Sequence, residues 1–235
     1  MNLEGKNVIV TGGSLGIGRQ TALLLIEKGA NVLVTGRSKE RLKSAIDNTK
    51  VKTIDFDIGK LDEINLNARK CIEIFDNQVD VLINNAGIGV RRSVEELNKK
   101  DFLDVFNVNV FGLSLFTSHI VPLMKKQKMG TIINIGSTAS LKGYKDGSIY
   151  SSSKFAVRCL SQCWQAELRP YNIRVCQVNP SEVTTAFGSP KRVEREYINN
   201  KLTPCEISHA IISALEMDDR GFMNEINIWA TNPFN

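Results

Sequence analysis

The stretch TGGSLGIG, residues 11–18, stands between the apolar run NVIVT at 7–11 and a segment of helical period that begins at residue 16. A strand, a glycine-rich turn and a helix in direct succession present unpaired helix N–H groups to an anion. Small residues at the turn let the backbone approach a pyrophosphate closely. The stretch therefore predicts a nucleotide-binding turn whose contacts come from Gly12, Ser14, Leu15, Gly16, Ile17 and Gly18.

Seven short apolar runs alternate with longer segments of helical period along the chain. The runs are nearly continuous in Val and Ile, as is typical of parallel strands covered on both faces. This alternation predicts an α/β fold, a Rossmann-type doubly wound sheet of seven parallel strands with helices on both faces. The predicted strands are 7–11, 31–35, 51–56, 79–83, 131–135, 173–178 and 225–230, and the predicted helices are 16–29, 38–48, 60–77, 99–128, 148–169 and 203–217.

The composition is that of an ordinary globular chain. It has 235 residues, of which 42% are hydrophobic and 23% charged, and no linker or repeat divides it. These values favour a single domain spanning 1–235. The apolar runs are strand-sized, and no basic start with a following apolar stretch stands at Met1. We therefore expect a cytoplasmic protein without a membrane span or secretory signal.

The cysteine and charge patterns argue against metal and nucleic-acid functions. Five cysteines are scattered, only Cys159 and Cys163 are close, and no histidine joins them at zinc-like spacing. We expect free, mostly packed thiols and no metal site. The net charge of +5 is dispersed, with short basic clusters at 91–92 and 125–128, so we expect no nucleic-acid partner.

The end of the second predicted strand reads TGRS, residues 35–38. An NAD-binding chain usually carries an acidic residue here, which accepts from the ribose 2′-hydroxyl. Gly36 stands at that place and Arg37 follows it. A guanidinium binds a 2′-phosphate through charge-assisted hydrogen bonds, whereas a carboxylate repels it. Arg37 therefore predicts NADP(H) as the cofactor, the alternative being that Arg37 is a solvated loop residue.

Two further strand ends carry residues suited to the adenosine half of a dinucleotide. Asp57 follows the third strand, where it either accepts from an adenine amino group or starts the next helix. The motif NNAG, residues 84–87, ends the fourth strand. Ala86 and Gly87 leave room for the cofactor, and Asn85 is predicted to contact it as well.

The stretch YSSSK, residues 150–154, places Tyr150 and Lys154 one turn apart on one helix face. A tyrosine hydroxyl has a pKa near 10, which is poorly matched to proton transfer near neutrality. A nearby ammonium favours the phenolate, so we expect Lys154 to lower the pKa of Tyr150. Ser137, in IGSTAS after the fifth strand, is placed to hydrogen-bond a substrate carbonyl oxygen.

Taken in order and spacing, TGxxxGxG, NNAG, a serine after strand five and Y-x-x-x-K resemble the short-chain dehydrogenase/reductase family over nearly the whole chain. The resemblance implies hydride transfer with NADP(H) and a tetrad of Asn109, Ser137, Tyr150 and Lys154. It implies that Asn109, on the long fourth helix, holds a water of a proton relay and that Ser137 orients the carbonyl. Tyr150 would then act as general acid in reduction, and Lys154 would bind the nicotinamide ribose. Tyr144 is a rival acid without a paired lysine, because residue 148 is serine.

After the sixth strand, NPSEVTTAF at 179–187 resembles the family segment that lies near the nicotinamide. Pro180, Val183 and Thr185 match and are expected to contact the cofactor, whereas Ser181 replaces the usual glycine. A serine is unfavourable if that turn needs a positive φ, so the loop geometry stays open. The charged, weakly helical continuation makes about 181–202 resemble the family's variable substrate lid, although a solvated surface helix would look the same.

The resemblance leaves the substrate and the partners open. Many bacterial members reduce 3-oxoacyl thioesters on acyl carrier protein, an acidic partner that Lys125, Lys126, Lys128 and Arg169 would attract, although those charges equally suit solvated helix ends. Another small ketone, aldehyde or hydroxy compound is the alternative substrate. A non-catalytic NADP(H)-sensing protein is the alternative from another class.

The resemblance also implies a homotetramer or homodimer in which the two long helices, 99–128 and 148–169, pair with their mates. The apolar residues Phe111, Phe116, Phe155 and Trp164 suit such an interface, and they equally suit the interior of a monomer.

Overall fold

Seven strands form one parallel sheet in the structure, a computed structural model that describes residues 1–45, 51–189 and 192–234. The sheet order is β3-β2-β1-β4-β5-β6-β7, so the chain winds outward in one direction from β1 and then in the other from β4. This arrangement confirms the predicted doubly wound fold. The strands are β1 (Asn7–Thr11), β2 (Asn31–Gly36), β3 (Lys52–Asp55), β4 (Val81–Asn84), β5 (Gly130–Ile135), β6 (Ile173–Pro180) and β7 (Glu225–Ile228).

The helices that cover the sheet follow the predicted alternation. They are α1 (Gly16–Glu27), α2 (Lys39–Ala45), α3 (Ile64–Glu73), α4 (Lys99–Phe106), α5 (Leu113–Gln127), α6 (Ser148–Leu168) and α7 (Pro204–Glu216). A 3-10 turn, Leu61–Glu63, leads into α3, and a π-helical segment, Asn107–Gly112, joins α4 to α5. The predicted helix 38–48 reaches into residues 46–48, which lie outside the described residues.

Alternate strand residues supply two cores on opposite faces of the sheet. Val8 and Val10 pack with α1 and α7 on one face, whereas Ile9 between them packs with α3 and α5 on the other. This follows from the two-residue side-chain period of a strand. Because both faces are covered, the open edge at the carboxyl ends of the strands is left for a ligand.

Two predicted helices differ from the structure. The helix expected over 60–77 ends at Glu73, and Asp76 and Asn77 then take positive φ angles of 50° and 63°, which turn the chain toward β4. The weakly helical interpretation of 189–202 is wrong for the described residues there, since none of them is helical. Arg192 has a φ of 54°, in the left-handed region that does not continue a helix.

The predicted helix 99–128 corresponds to a continuous helical stretch, Lys99–Gln127, that contains the π segment. By length and composition this stretch could cross a membrane, but half of its most apolar window is buried within the protein. Phe116, Ile120 and Met124 pack in the core beneath the sheet. Packing inside the fold therefore explains its apolar composition.

The cysteines divide between the interior and the surface. Cys71 and Cys176 are buried, and desolvation raises the pKa of each thiol to about 12. Cys159, Cys163 and Cys205 are exposed, so the expectation of mostly packed thiols is wrong for these three. All five are free thiols.

Candidate active site

The carboxyl ends of the central strands open into a cavity of about 1300 Å³. Of the predicted site residues, Gly18 and Asn109 do not line it, and both lie behind the residues that do. The lining contains the remaining ones: Gly12, Ser14, Leu15, Gly16, Ile17, Arg37, Asp57, Asn85, Ala86, Gly87, Ser137, Tyr150, Lys154, Pro180, Val183 and Thr185.

The glycine turn after β1 packs directly against the NNAG motif. Gly12 has a φ of 67°, and a Cβ there would lie 2.7 Å from the Ala86 Cα, so a side chain is excluded on both counts. Asn85 donates its side-chain N–H groups to the Thr11 carbonyl at 3.0 Å and the Gly12 carbonyl at 2.9 Å. A Cβ on Gly18 would collide with this amide. Asn85 and Gly18 thus hold the turn in shape from behind.

The N-terminus of α1 already binds an anionic group of the same chain. The Gly16 backbone N–H donates to Glu194 Oε1 at 3.1 Å, and Leu15, the residue before the helix, makes no side-chain cap. A helix N-terminus favours negative charge through its free N–H groups and its dipole. Glu194 therefore occupies the position that the sequence assigns to a pyrophosphate. This contact has no signature in the sequence, because 178 residues separate its partners.

Three arginines lie at the end of the cavity beyond β2. Arg37 is half exposed, with its Nη1 atom 3.8 Å from Asp57 Oδ2. Arg41 and Arg192 line the same end. Burial lowers the pKa of Arg192, and the positive charges of Arg37 and Arg41 lower it further. This clustering of guanidinium groups suits a phosphate. Arg41 and Arg192 were missed by the sequence analysis, although Arg41 follows Arg37 by four residues.

Asp57 has two separate contacts. Its Oδ1 atom accepts the Gly59 N–H at 2.9 Å and closes a turn, while Oδ2 faces Arg37. The residue before the 3-10 turn is Lys60, so the interpretation of Asp57 as a helix-start residue is wrong. Asp57 lines the cavity beside Arg37, where a ligand would compete with Arg37 for its Oδ2 atom.

Tyr150 and Ser137 meet at the other end of the cavity. The Ser137 side chain lies close enough to Tyr150 to lower its pKa. Desolvation is the larger effect and raises that pKa above its usual value, and the nearby Tyr144 raises it further, although the Tyr150 residue is only partly buried. The protonated hydroxyl is thus the stable form, as a general acid requires.

Lys154 is buried one turn along α6 from Tyr150. Its Nζ atom donates to the Ile135 carbonyl at 2.7 Å and lies 5.8 Å from the centre of the Tyr150 ring. Desolvation lowers the pKa of Lys154 to about 8. The expectation that Lys154 lowers the pKa of Tyr150 is wrong for this structure, because the amine is turned to Ile135 and burial dominates the tyrosine.

Asn109 lies on the π-helical segment, not on a regular α-helix. Its side chain exchanges two hydrogen bonds of 2.9 Å with the Ile88 backbone and donates to Ser153 Oγ at 3.0 Å. Ser153 in turn donates to the Tyr150 carbonyl at 2.7 Å. π-Helical segments are frequent at functional sites, since they change the direction in which one side chain points. Asn109 therefore links the NNAG loop to the tyrosine helix, and Ser153 is a positioning residue that sequence reasoning missed.

The segment after β6 resolves the question raised by Ser181. Ser181 is not among the described residues with positive φ, and its N–H donates to the Ile228 carbonyl at 2.8 Å. A glycine is therefore not needed at this turn. Further along, Thr185 is buried against Gly16, and the Phe187 ring lies 5.5 Å from the Tyr150 ring.

The segment 181–202 is tied down by ion pairs instead of helical turns. Glu182 accepts from Arg195 Nη1 and from Lys201 Nζ, each at 2.9 Å. The Lys201 bond is the main cause of the lowered pKa of Glu182, followed by the Arg195 bond. Val183 bridges to Leu202. We call the described residues 192–202 the strap, because they carry Arg192 and Arg195 to the cavity and Glu194 to the glycine turn.

Residues 6–196 match the family model described as short chain dehydrogenase. The 3-oxoacyl-acyl-carrier-protein reductase FabG of Thermotoga maritima is 34% identical over 190 residues, which cover 79% of this chain and 77% of that protein.

Two solved structures share the fold over nearly the full chain. An alcohol dehydrogenase of the archaeon Thermococcus sibiricus, complexed with 5-hydroxy-NADP, has a TM-score of 0.89 at 26% identity and 97% coverage of both chains. The closed form of a serine dehydrogenase complexed with NADP+ has a TM-score of 0.86 at 27% identity and 94% coverage of both.

Proposed function

The chain belongs to the short-chain dehydrogenase/reductase family and is an oxidoreductase of CH–OH and C=O groups, and from this we propose that it reduces a 3-oxoacyl thioester with NADPH. The observation that carries the reaction type is that Ser137 and Tyr150 lie together at one end of a cavity, with Lys154 one turn along α6 from Tyr150. The glycine turn and the arginines lie at the other end.

The residues of the chain supply the proton side of this reaction. When bound, NADPH supplies the hydride to the carbonyl carbon. Tyr150 donates its hydroxyl proton to the carbonyl oxygen, and the Ser137 hydroxyl hydrogen-bonds the same oxygen and orients it. Lys154, which lies one turn along α6 from Tyr150 and whose Nζ atom donates to the Ile135 carbonyl, is the residue that we assign to the nicotinamide ribose of the bound cofactor.

The assignment of NADP(H) rests on the positive charge at the end of the cavity beyond β2, which we call the adenosine end. Arg37, Arg41 and Arg192 gather three guanidinium groups there, and a 2′-phosphate is the group of NADP(H) that such a cluster binds. Both solved structures of similar fold contain NADP or a derivative of it. NADP(H) is therefore the cofactor that this cavity selects.

The thioester assignment rests on the relative that is 34% identical and carries that name. Of the cations considered for an acidic carrier protein, Lys125 is already paired with Glu167 at 3.0 Å and lies 4.7 Å from the Tyr171 ring centre. Lys126 and Lys128 have no carboxylate partner among the described residues, and they are the cations that we assign to a carrier.

We further propose a cytoplasmic homodimer or homotetramer. Phe111, on the π-helical segment before α5, and Phe155, on α6, are each 43% exposed, which supports pairing through these two helical stretches. Phe116 is fully buried and Trp164 packs partly against the core, so these two belong to the interior of the protomer. Light scattering tests the assembly, and a monomer at micromolar concentration would contradict it.

The experiment that tests the proposed function is NADPH oxidation with a panel of carbonyl compounds, repeated with NADH. We expect turnover of an acetoacetyl thioester with NADPH. Turnover of other ketones or aldehydes alone would assign another small carbonyl substrate. Tight binding of NADPH without turnover of any compound would identify a cofactor-sensing protein instead.

A further inference from the structure

The end of the cavity that contains Ser137 and Tyr150, which we call the substrate end, carries an excess of positive charge. Glu182 is the acidic residue lining this end among the described residues, and Arg195 and Lys201 neutralise it. Arg92 is neutralised by Asp101, whose Oδ2 atom lies 2.7 Å from its Nε. Arg91 and Lys142 also line the cavity. Neither has a carboxylate within ion-pair distance in the described part of the chain.

Arg91 is held beside the acid–base pair. The Arg91 guanidinium carbon lies 5.5 Å from the centre of the Tyr144 ring, in a cation–π arrangement. Tyr144 in turn is close enough to Tyr150 to raise its pKa. The backbone next to Arg91 is anchored, since the Arg92 N–H donates to the Asp146 carbonyl at 3.0 Å. Arg91 is thus positioned near the reacting carbonyl and away from the three arginines at the adenosine end.

Lys142 lines the same cavity from the loop before α6. It follows the 3-10 turn Thr138–Ser140, which Ser137 caps. The Lys142 N–H donates to the Thr138 carbonyl at 3.2 Å. Its exposed ammonium carries four rotatable bonds, so it can reach a charged group at the cavity mouth. Two cations that have no carboxylate partner among the described residues, at one end of a ligand cavity, have a net attraction for an anion.

We propose that Arg91 and Lys142 bind an anionic group of the substrate, a carboxylate or a phosphate, while Tyr150 and Ser137 hold its carbonyl. This inference rests on the proposed carbonyl reduction and specifies the substrate class. Phe187, Tyr144 and Trp229 also line the cavity, so the substrate carries an apolar part as well. Arg91 and Lys142 are specificity-determining residues and take no part in the proton transfer.

Matched substrate pairs separate charge from the rest of the chemistry. Acetoacetate and ethyl acetoacetate differ in the carboxylate, and acetoacetyl-4′-phosphopantetheine and acetoacetyl-pantetheine differ in the phosphate. We expect wild-type enzyme to favour the charged member of at least one pair by roughly ten-fold in kcat/KM, as for a charge-assisted contact. A preference within the first pair assigns a carboxylate, and one within the second assigns a phosphate.

The variants Arg91→Gln and Lys142→Gln remove the two charges one at a time. Each should lower kcat/KM for the charged member by about five- to ten-fold, leave the neutral member unchanged and weaken the salt dependence of the preference. Lys145→Gln, an exposed lysine of the same loop that does not line the cavity, is the matched control. NADPH affinity should be the same in all four proteins, which shows that the variants fold.

The outcomes distinguish a failure of the proposed anion site from a failure of the proposed carbonyl reduction. Turnover of the neutral members with no preference for charge in wild type, or a preference that both variants keep, overturns the anion site and leaves carbonyl reduction standing. An absence of turnover with every substrate, despite NADPH binding, overturns the proposed reduction, and the anion site with it.

Discussion

Gly16 donates its backbone N–H to the Glu194 carboxylate at 3.1 Å, so the strap fills the phosphate position of the glycine turn with a charge of its own. An incoming pyrophosphate carries the same sign of charge and needs the same N–H group. We therefore expect cofactor binding to displace the Glu194 carboxylate from the N-terminus of α1.

Replacing Glu194 by glutamine should tighten NADPH binding. The substitution keeps the size of the side chain, removes its negative charge and weakens a charge-assisted hydrogen bond that competes with the cofactor. A change of about 1 kcal/mol corresponds to roughly a five-fold lower Kd. Fluorescence titration of NADPH measures it. Glu196→Gln, an exposed carboxylate two residues along the strap, is the control and should leave the Kd unchanged. An unchanged or weaker affinity in Glu194→Gln would contradict displacement.

The arginine cluster should decide between NADPH and NADH. Arg192→Gln removes one guanidinium from the group that includes Arg37 and Arg41, and we expect about a ten-fold loss of NADPH affinity with NADH affinity unchanged. Arg37→Asp should go further and repel the 2′-phosphate. Lys39→Gln, an exposed cation outside the cavity, serves as the control. An Arg37→Asp enzyme that keeps its NADPH preference would disprove the role of this cluster.

The fold could be predicted because it depends on local patterns that repeat along the chain. Apolar runs such as 7–11 and 31–35 gave the strands to within a few residues, since a doubly covered parallel strand has little room for polar side chains. The ends of α3 and the path of the strap were missed. Both depend on single residues in left-handed conformations, Asn77 and Arg192, and on ion pairs such as Glu182 with Lys201, which are distant in sequence.

The site was predictable where a motif supplies the residue and unpredictable where the tertiary fold does. The glycine turn, Ser137 and Tyr150 all line the cavity, because each follows a strand end or lies on the helix beside it. Arg192 reaches the cavity, and Glu194 reaches the glycine turn, from a segment with no motif. The predicted direction of the Tyr150 pKa shift was also wrong. Desolvation raises this pKa, and desolvation depends on packing, which cannot be read from the spacing of Tyr150 and Lys154.

Tyr150→Phe should abolish most turnover without loss of fold or cofactor binding. The change removes the one hydroxyl that donates a proton to the carbonyl oxygen, and losses for a general acid are typically about 10²- to 10⁴-fold in kcat. Tyr144→Phe is the matched control, since Tyr144 lines the same cavity but has no lysine one turn away. Steady-state kinetics with NADPH and the best carbonyl substrate decide it. Full activity of Tyr150→Phe, or a comparable loss in Tyr144→Phe, would assign the proton donor elsewhere.

The buried Lys154 should make the stability of the protein depend on pH. The variant Lys154→Met should lack this dependence. Its pKa is lowered from 10.5 to about 8 in the folded protein. Below about pH 8 both the folded and unfolded states hold this proton, and the folded state bears the full cost of a buried ammonium. Between those two pKa values the unfolded state holds the proton and the folded state does not. The stability of wild type should therefore rise with pH through this window, relative to Lys154→Met.

The expected size of that rise is about 3 kcal/mol, from 1.36 kcal/mol per pKa unit. The free energies of unfolding of wild type and Lys154→Met, measured by urea denaturation from about pH 7 to about pH 11, give the difference directly. Lys154→Met should be the more stable protein at the acid end, and its advantage should disappear at the alkaline end. Lys145→Met, which removes an exposed lysine from the loop before α6, should show a difference from wild type that is flat with pH. A flat difference for Lys154→Met as well would mean that the Lys154 ammonium is not desolvated in the folded protein.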